Sequence, residues 1–512
     1  MNGAESLVRT LLASGVDLCF ANPGTSEINF VAALDRAPGM RCVLALFEGV
    51  VTGAADGYGR MARKPAATLM HCGPGFANGL AYLHNAKRAE TPILNIVGDQ
   101  ATYHAPFNPP LASDIEAWAR PVSQWVRKVT RAQTLGIDAA EAVQGARNPP
   151  GGSATLILPS DVSWSEGGVP GAALPVPVPA QTTADAVLDA ARALRSGEPA
   201  LILMSGAALL PDALAIGYAI AAGTGAQLMT PTFNARIARG RGRPPLDIVP
   251  YPVDEAVAKL KHFKHLILVG TGEPVAFFAY PGKPSIVSPP DAAVHVLARP
   301  EHDLKDALAR LADELRCPPR AVPETPPEAA PQRGPLTAEG AAALVAALMP
   351  EHAILVDEAI TLRAPFFART RNAPPHDWLQ VPGGAIGGGL PLATGAALGA
   401  PGRRVIVLQG DGSAAYTLQA LWTQARENLD VTTILLSNRK YAILFKELAD
   451  VGAAAGQTAR DLFELKRPEV DWLRVAGSMG VEAARADTLE SFADLLRGAF
   501  ARKGPFLIEL ML

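Results

Sequence analysis

Apolar residues along this chain gather in short runs, and between the runs they recur every three or four positions. Runs at 17–21, 41–46, 66–71, 93–97 and 154–158 are followed by 200–204, 227–230 and 265–269, and later by 405–408, 431–436 and 506–510. Short apolar runs of this kind fit strands buried on both faces. The intervening segments have the spacing of helices with one buried side: 4–14, the stretch through Leu34, 337–348, and the segment carrying Leu418, Leu421, Trp422 and Ala425. Repeated strand–helix alternation predicts an α/β fold of doubly wound parallel sheets with helices on both faces. Proline-rich stretches at 167–180 and 317–334 divide the pattern. Three such domains are expected, at 1–166, 183–316 and 335–512, the first and third similar in kind but without an obvious repeat.

Composition changes this picture little. A chain of 512 residues is long enough for about three domains of ordinary size. With 49% hydrophobic and 19% charged residues and a formal net charge of −3, nothing favours a nucleic-acid or membrane partner. No apolar run approaches the length of a membrane span. The first twenty residues read as an amphipathic helix entering a strand rather than a signal peptide. Cys19, Cys42, Cys72 and Cys317 show neither paired nor metal-ligand spacing, so reduced thiols in a cytoplasm are expected.

The candidate chemistry lies at strand ends. The 405–408 run stops at Gly410-Asp411-Gly412, where two glycines permit a sharp turn. They leave Asp411 at the carboxyl end of a strand, the edge at which open α/β sheets bind ligands. One strand–helix–strand unit later the next run ends at Ser437-Asn438, which places Asn438 at the same edge. A carboxylate, an amide oxygen and a nearby main-chain carbonyl form a hard-oxygen site suited to Mg²⁺ carrying a diphosphate. In isolation, Gly-Asp-Gly is commonly just a tight turn. Glu48, between Leu46-Phe47 and a glycine-rich helix, reads either as a working acid or as a residue favoured by the helix dipole. An acid that exchanges protons near neutral pH requires partial burial. His71 ends its strand before Cys72-Gly73-Pro74-Gly75, and reads equally as a proton mover or a structural histidine. His84, in a helix, and His104, in a loop, are weaker candidates. Thr25 or Ser26, after Asn22-Pro23-Gly24, is placed to cap a helix. Cys72 and His71 are not expected to form a nucleophile pair, because neighbouring strand residues face opposite ways. The glycine run at 383–389 reads as a loop.

Taken together, Leu46-Phe47-Glu48, Ala54-Ala55-Asp56-Gly57-Tyr58-Gly59-Arg60, Gly410-Asp411-Gly412 and Asn438-x-x-Tyr441 resemble the thiamin-diphosphate-dependent 2-oxo acid decarboxylases and acetolactate synthases. The resemblance covers nearly the whole chain, is strongest at 17–82 and 383–512, and is closest in motif to benzoylformate decarboxylase. It implies that Asp411, Asn438 and the Lys440 carbonyl hold Mg²⁺, with Ser437 replacing the first asparagine of the family's pair. It implies that Glu48 hydrogen-bonds the cofactor's aminopyrimidine, so that a C2 ylide forms, attacks a 2-oxo acid and loses CO₂ to an enamine. Ile386, in the loop of Gly384, would bend the cofactor. Gly410, Gly412, Ser413 and Thr361 would surround its diphosphate, and Tyr441, Ile443 and Leu444 would line the pocket. Gly24 and Asn78 would lie near the cofactor, with Thr25 and His71 facing the substrate.

The family's second pocket histidine falls at Ala279, so aromatic specificity does not follow. FAD is not expected, because the middle domain lacks its signatures. Protonation of the enamine gives an aldehyde, and attack on an aldehyde acceptor gives a hydroxy ketone; the sequence leaves both open. In the family, Glu48 and Asp411 of one site come from different subunits, which implies a homodimer or homotetramer. Acetolactate synthase and a non-catalytic cofactor-binding protein are the alternatives. A nicotinamide oxidoreductase would want G-x-G-x-x-G after a strand, and no convincing instance exists.

Overall fold

The computed structural model describes residues 1–326, 329 and 333–512, so part of the linker expected at 317–334 lies outside the described residues. Three sheets carry the chain. The first is parallel throughout, with strands in the spatial order Arg41–Leu44, Leu18–Asn22, Ala66–Met70, Ile93–Asp99, Ser153–Pro159, Trp125–Lys128. The second, also parallel, runs Asp247–Ile248, Gln227–Thr230, Ala200–Met204, His265–Val269, Ala293–Ala298. In the third, Glu482–Ala486, Phe506–Met511, Val431–Ser437, Val405–Gly410, Ile354–Glu358 and His376–Leu379 are parallel, and Arg236–Arg239 closes the edge antiparallel.

The expected α/β architecture is present, with one rearrangement. Arg236–Arg239 belongs by position to the middle region yet pairs with the C-terminal sheet, Ala238 opposite Asp377. The Arg236 Nε donates to Asp377 Oδ1 at 2.8 Å and locks that register. Central strands such as Val405–Gly410 bury almost every residue, as continuous apolar runs require. Trp125–Lys128 and Ala293–Ala298 are among the additions to the expected strands; both are sheet edges, where Arg127 and Lys128 or His295 interrupt the apolar pattern and most side chains stay partly or fully exposed. Among the described residues no helix is long and apolar enough to cross a membrane. All four cysteines are free thiols.

Two helices join the first and third domains. Glu48–Ala62 packs along Gly389–Gly399, so the glycine run read as a loop ends in the first turn of a buried helix. A methyl group at Gly395 would overlap the Ala54 carbonyl oxygen, and one at Gly57 would overlap the Leu392 carbonyl. The missing side chains let the two backbones touch. Gly395→Ala is therefore expected to destabilise the protein by about 1–3 kcal/mol through overpacking. Gly498→Ala, at an exposed position of the helix Leu489–Ala501 with nothing within 4 Å of the added methyl, is expected to stabilise by about 1 kcal/mol from helix propensity. Thermal unfolding of the two variants checks the opposite signs.

Candidate active site

Glu48 is the first residue of its helix, 7% exposed, and both carboxylate oxygens are held by amides. Asn22, the last residue of strand Leu18–Asn22, donates its Nδ2 to Oε1 at 3.0 Å. Asn78, in the helix Cys72–Arg88, donates its Nδ2 to Oε2 at 2.9 Å. Among the described residues no cationic side chain pairs with Glu48. Asn78 thus holds the acid itself. The sequence motif leaves Asn22 without a role, and this contact gives it one.

His71 caps the helix Cys72–Arg88, which starts well before the expected position near Ala77. Pro74 is tolerated because first-turn N–H groups have no intrahelical partner. Cys72 takes a left-handed φ of 50° at the strand–helix junction, and this turn overturns the expectation that His71 and Cys72 face opposite ways. His71 Nδ1 and Cys72 Sγ each lie 3.1 Å from Ser26 Oγ. The pair is still no nucleophile system, because burial pushes the Cys72 thiol up to about 11, against the smaller pull of Ser26, and keeps it protonated at neutral pH. Thr25 is exposed. Neither it nor Ser26 caps the following helix; instead the Glu27 carboxylate reaches back to the Gly24 N–H at 2.8 Å. Gly24 lies against the His71 ring, which any side chain there would overlap.

The second cluster forms at the C-terminal sheet. Asp411 accepts the Gly412 N–H at 2.9 Å on Oδ1 and the Arg439 N–H at 2.7 Å on Oδ2. Arg439 adopts φ 54°, which turns the chain back so that its N–H reaches the aspartate. Burial raises the Asp411 carboxyl above the ordinary aspartate range, the two backbone N–H groups oppose this, and the Glu509 charge adds to it. Among the described residues no cationic side chain pairs with Asp411. Asn438 Oδ1 accepts the Lys440 N–H at 3.1 Å. A buried carboxylate without a counter-charge, beside an amide oxygen, is a donor set that fits a hard divalent cation. Gly412 is glycine because the Tyr441 ring would lie 2.6 Å from an added methyl. Ser413 is buried and directs its hydroxyl at the Gly410 carbonyl, 3.0 Å away, while accepting from Gln409 Nε2 at 2.6 Å. Thr361 is exposed and follows Ile360, a β-branched residue held at φ 51°, a backbone strain that favours a functional neighbourhood.

Between the clusters runs the loop bearing Gly384 and Ile386. Buried Glu358 gathers the N–H groups of Gly387, Gly388 and Gly389 at 2.7, 3.2 and 2.8 Å. From the first domain, Tyr82 Oη donates to the Ile386 carbonyl at 3.1 Å, and Asn85 clamps Ala385 through 2.8 and 3.0 Å contacts. His84 Nε2 lies 3.1 Å from the Gly383 carbonyl, a structural role for that candidate. Gly384, at φ 75°, makes room for the Phe277 ring from the middle domain. Phe277 sits in an aromatic wall with Phe233 and Tyr251, centroids 5.5 and 5.6 Å away. Tyr251 and Tyr280 donate to Glu447 at 3.1 and 2.6 Å and so dock the helix Ala442–Asp450, which carries Ile443 and Leu444. Within one chain, no hydrogen bond or ion pair among the described residues joins the Glu48 cluster to the Asp411 cluster.

Comparison with known proteins bears on these clusters. Residues 1–118 match the thiamine pyrophosphate enzyme N-terminal TPP binding domain, and residues 364–510 match the C-terminal TPP binding domain. A Mycobacterium tuberculosis protein provisionally named acetolactate synthase large subunit IlvX is 50% identical over 100% of this chain and 99% of its own. Benzoylformate decarboxylase of Pseudomonas aeruginosa is 30% identical over 97% of this chain and 96% of its own. In fold, the chain matches a thiamine diphosphate-dependent 4-hydroxybenzoylformate decarboxylase of Rhodococcus jostii with a TM-score of 0.86 at 24% identity, covering 100% of this chain and 99% of that one. Two matched binding domains and relatives aligned from end to end place this chain in the thiamine pyrophosphate enzyme family.

Proposed function

We propose that this chain is a thiamin-diphosphate- and Mg²⁺-dependent decarboxylase of a 2-oxo acid, with carboligation to an aldehyde acceptor as a second outcome. The observation that carries the reading is Glu48, a buried carboxylate held by two neutral amides with no cation beside it among the described residues. With two amide donors in place, each carboxylate oxygen keeps a lone pair to meet a further hydrogen-bonding group, as a positioned acid–base residue needs. A protein that only held the cofactor would keep Asp411 and Asn438 but would have no use for an acid so placed.

Asp411 and Asn438, with the Lys440 carbonyl, would hold Mg²⁺, and Ile386 on its braced loop would support the cofactor. When bound, the cofactor supplies the carbanion and the electron sink for loss of CO₂. Glu48 gives and regains the proton that activates it. Asn22 and Asn78 keep both carboxylate oxygens aimed. His71 stands at the same strand edge, available to orient the substrate carboxylate or return a proton. The aromatic cluster of Phe277, Phe233 and Tyr251 packs beside the Gly384 turn of the Ile386 loop. A complete site is proposed to form between two subunits of a homodimer or homotetramer, in keeping with the finding that among the described residues no hydrogen bond or ion pair joins the Glu48 and Asp411 clusters of one chain.

Acetolactate synthesis from pyruvate is the alternative, supported by the name of the IlvX relative. The test measures CO₂ release from a panel of 2-oxo acids with thiamin diphosphate and Mg²⁺, with and without acceptor aldehydes. Turnover that stops on chelation of the metal is expected. Release from pyruvate alone, with acetolactate as product, would select the alternative, and no release from any member would reject both.

A further inference from the structure

Glu27 is a buried carboxylate with no part in the scheme above. Its side chain is 0% exposed, and three hydrogen-bonding groups converge on it. Oε2 accepts the Gly24 N–H at 2.8 Å and lies 2.9 Å from His71 Nδ1, while Oε1 takes the Ser26 hydroxyl. Carboxylate oxygens accept and do not donate, so the 2.9 Å contact is a hydrogen bond only when Nδ1 carries the proton. Ser26 leads to the same result. With its own proton directed at Glu27, its oxygen, 3.1 Å from Nδ1, can only accept there. The imidazole is also fixed in plane, because it lies against Gly24 where a Cβ would overlap the ring. A quarter of the His71 side chain stays exposed. With Nδ1 committed to Glu27, the nitrogen free for a ligand is Nε2.

We infer that Glu27 is a positioning residue that holds His71 as its Nδ1–H tautomer and leaves Nε2 as the working nitrogen. What Nε2 then does rests on the proposed function; the tautomer does not. A carboxylate behind a histidine sets which ring nitrogen acts and how the ring is oriented. A merely structural Glu27 would close the Gly24 turn and leave the tautomer unaffected.

The experiment is magic-angle-spinning NMR of sedimented holoenzyme labelled with [¹⁵N]histidine, the His71 signals being those missing from His71→Asn. The wild type is expected to show a protonated Nδ1 and an unprotonated Nε2. In Glu27→Leu the Nε2–H tautomer should appear, and kcat for the 2-oxo acid substrate should fall about a hundredfold with KM changed much less. Glu27→Asp, with an acceptor on a shorter arm, should recover part of kcat. An Nε2–H tautomer in the wild type, or a His71 spectrum identical in Glu27→Leu, overturns the inference. If Glu27→Leu does not fold, the wild-type spectrum alone decides. Absence of any 2-oxo acid turnover would sink the proposed function while leaving the tautomer result intact.

Discussion

Glu48→Gln is expected to lower CO₂ release by about two to four orders of magnitude, the usual worth of a positioned acid–base group, while thiamin diphosphate stays bound. Glutamine has the size of glutamate, and the niche formed by Asn22, Asn78 and Gly75 accommodates it. One new conflict arises. The amide nitrogen introduced by this substitution would meet an asparagine Nδ2 where the carboxylate met it as an acceptor. Rotating the Asn78 amide by half a turn offers its oxygen instead, so the stability cost should stay near about 1 kcal/mol. What glutamine cannot do is release and recover a proton. CO₂ release, together with cofactor retained through gel filtration, separates chemistry from binding. Near-wild-type turnover would remove Glu48 from the mechanism, and equal loss of cofactor would make it a binding residue. Glu48→Asp, which keeps the acid but shortens its reach, should fall between the two.

Much of this was legible before any coordinates. Asp411, Asn438 and Glu48 stand out because each ends an apolar run, and the carboxyl end of a parallel strand is where this architecture exposes chemistry. The same logic places His71. It fails one residue later, because the left-handed turn at Cys72 is not written in the apolar pattern and it decides where both side chains point. Glu27 escapes notice because, in sequence, an acid in a first helical turn is unremarked; its worth lies in a histidine delivered by another strand. Gly24 and Ser413 fall to the cofactor on resemblance; the structure adds contacts that the resemblance does not carry, Gly24 lying against the His71 ring and Ser413 tying Gln409 to Gly410. The strand Arg236–Arg239 is invisible for another reason. Its partner His376–Leu379 is far along the chain, and pairing across that distance leaves no local pattern.

The Asp56…Arg60 motif shows how a resemblance becomes physics, and it carries the largest expected stability effect. Both side chains are almost fully buried, at 2% and 3% exposure for Arg60 and Asp56. Arg60 Nε donates to Asp56 Oδ1 at 2.8 Å, and its Nη1 reaches the carbonyls of Ala235 at 3.0 Å and Gln380 at 2.5 Å. One guanidinium therefore ties a first-domain helix to the residue before the Arg236–Arg239 strand and to the segment leading into the Ile386 loop. Thr91 supplies a further hydrogen bond to Asp56 at 2.6 Å. Arg60→Leu would leave the Asp56 carboxylate buried with only that hydroxyl and take the donor from both carbonyls, a loss of about 3–5 kcal/mol. Arg60→Lys should recover only part, because a point charge cannot span the acceptors that the planar fork reaches. Asp56→Leu combined with Arg60→Leu should cost less than Arg60→Leu alone, since removing both charges leaves none unpaired. Thermal unfolding of the three variants decides this. A double variant worse than the single would mean that the carbonyl contacts, not the ion pair, dominate. Either way, loosening at Gln380 should reach the loop that begins at Gly383, so cofactor retention should fall in step with stability in Arg60→Leu.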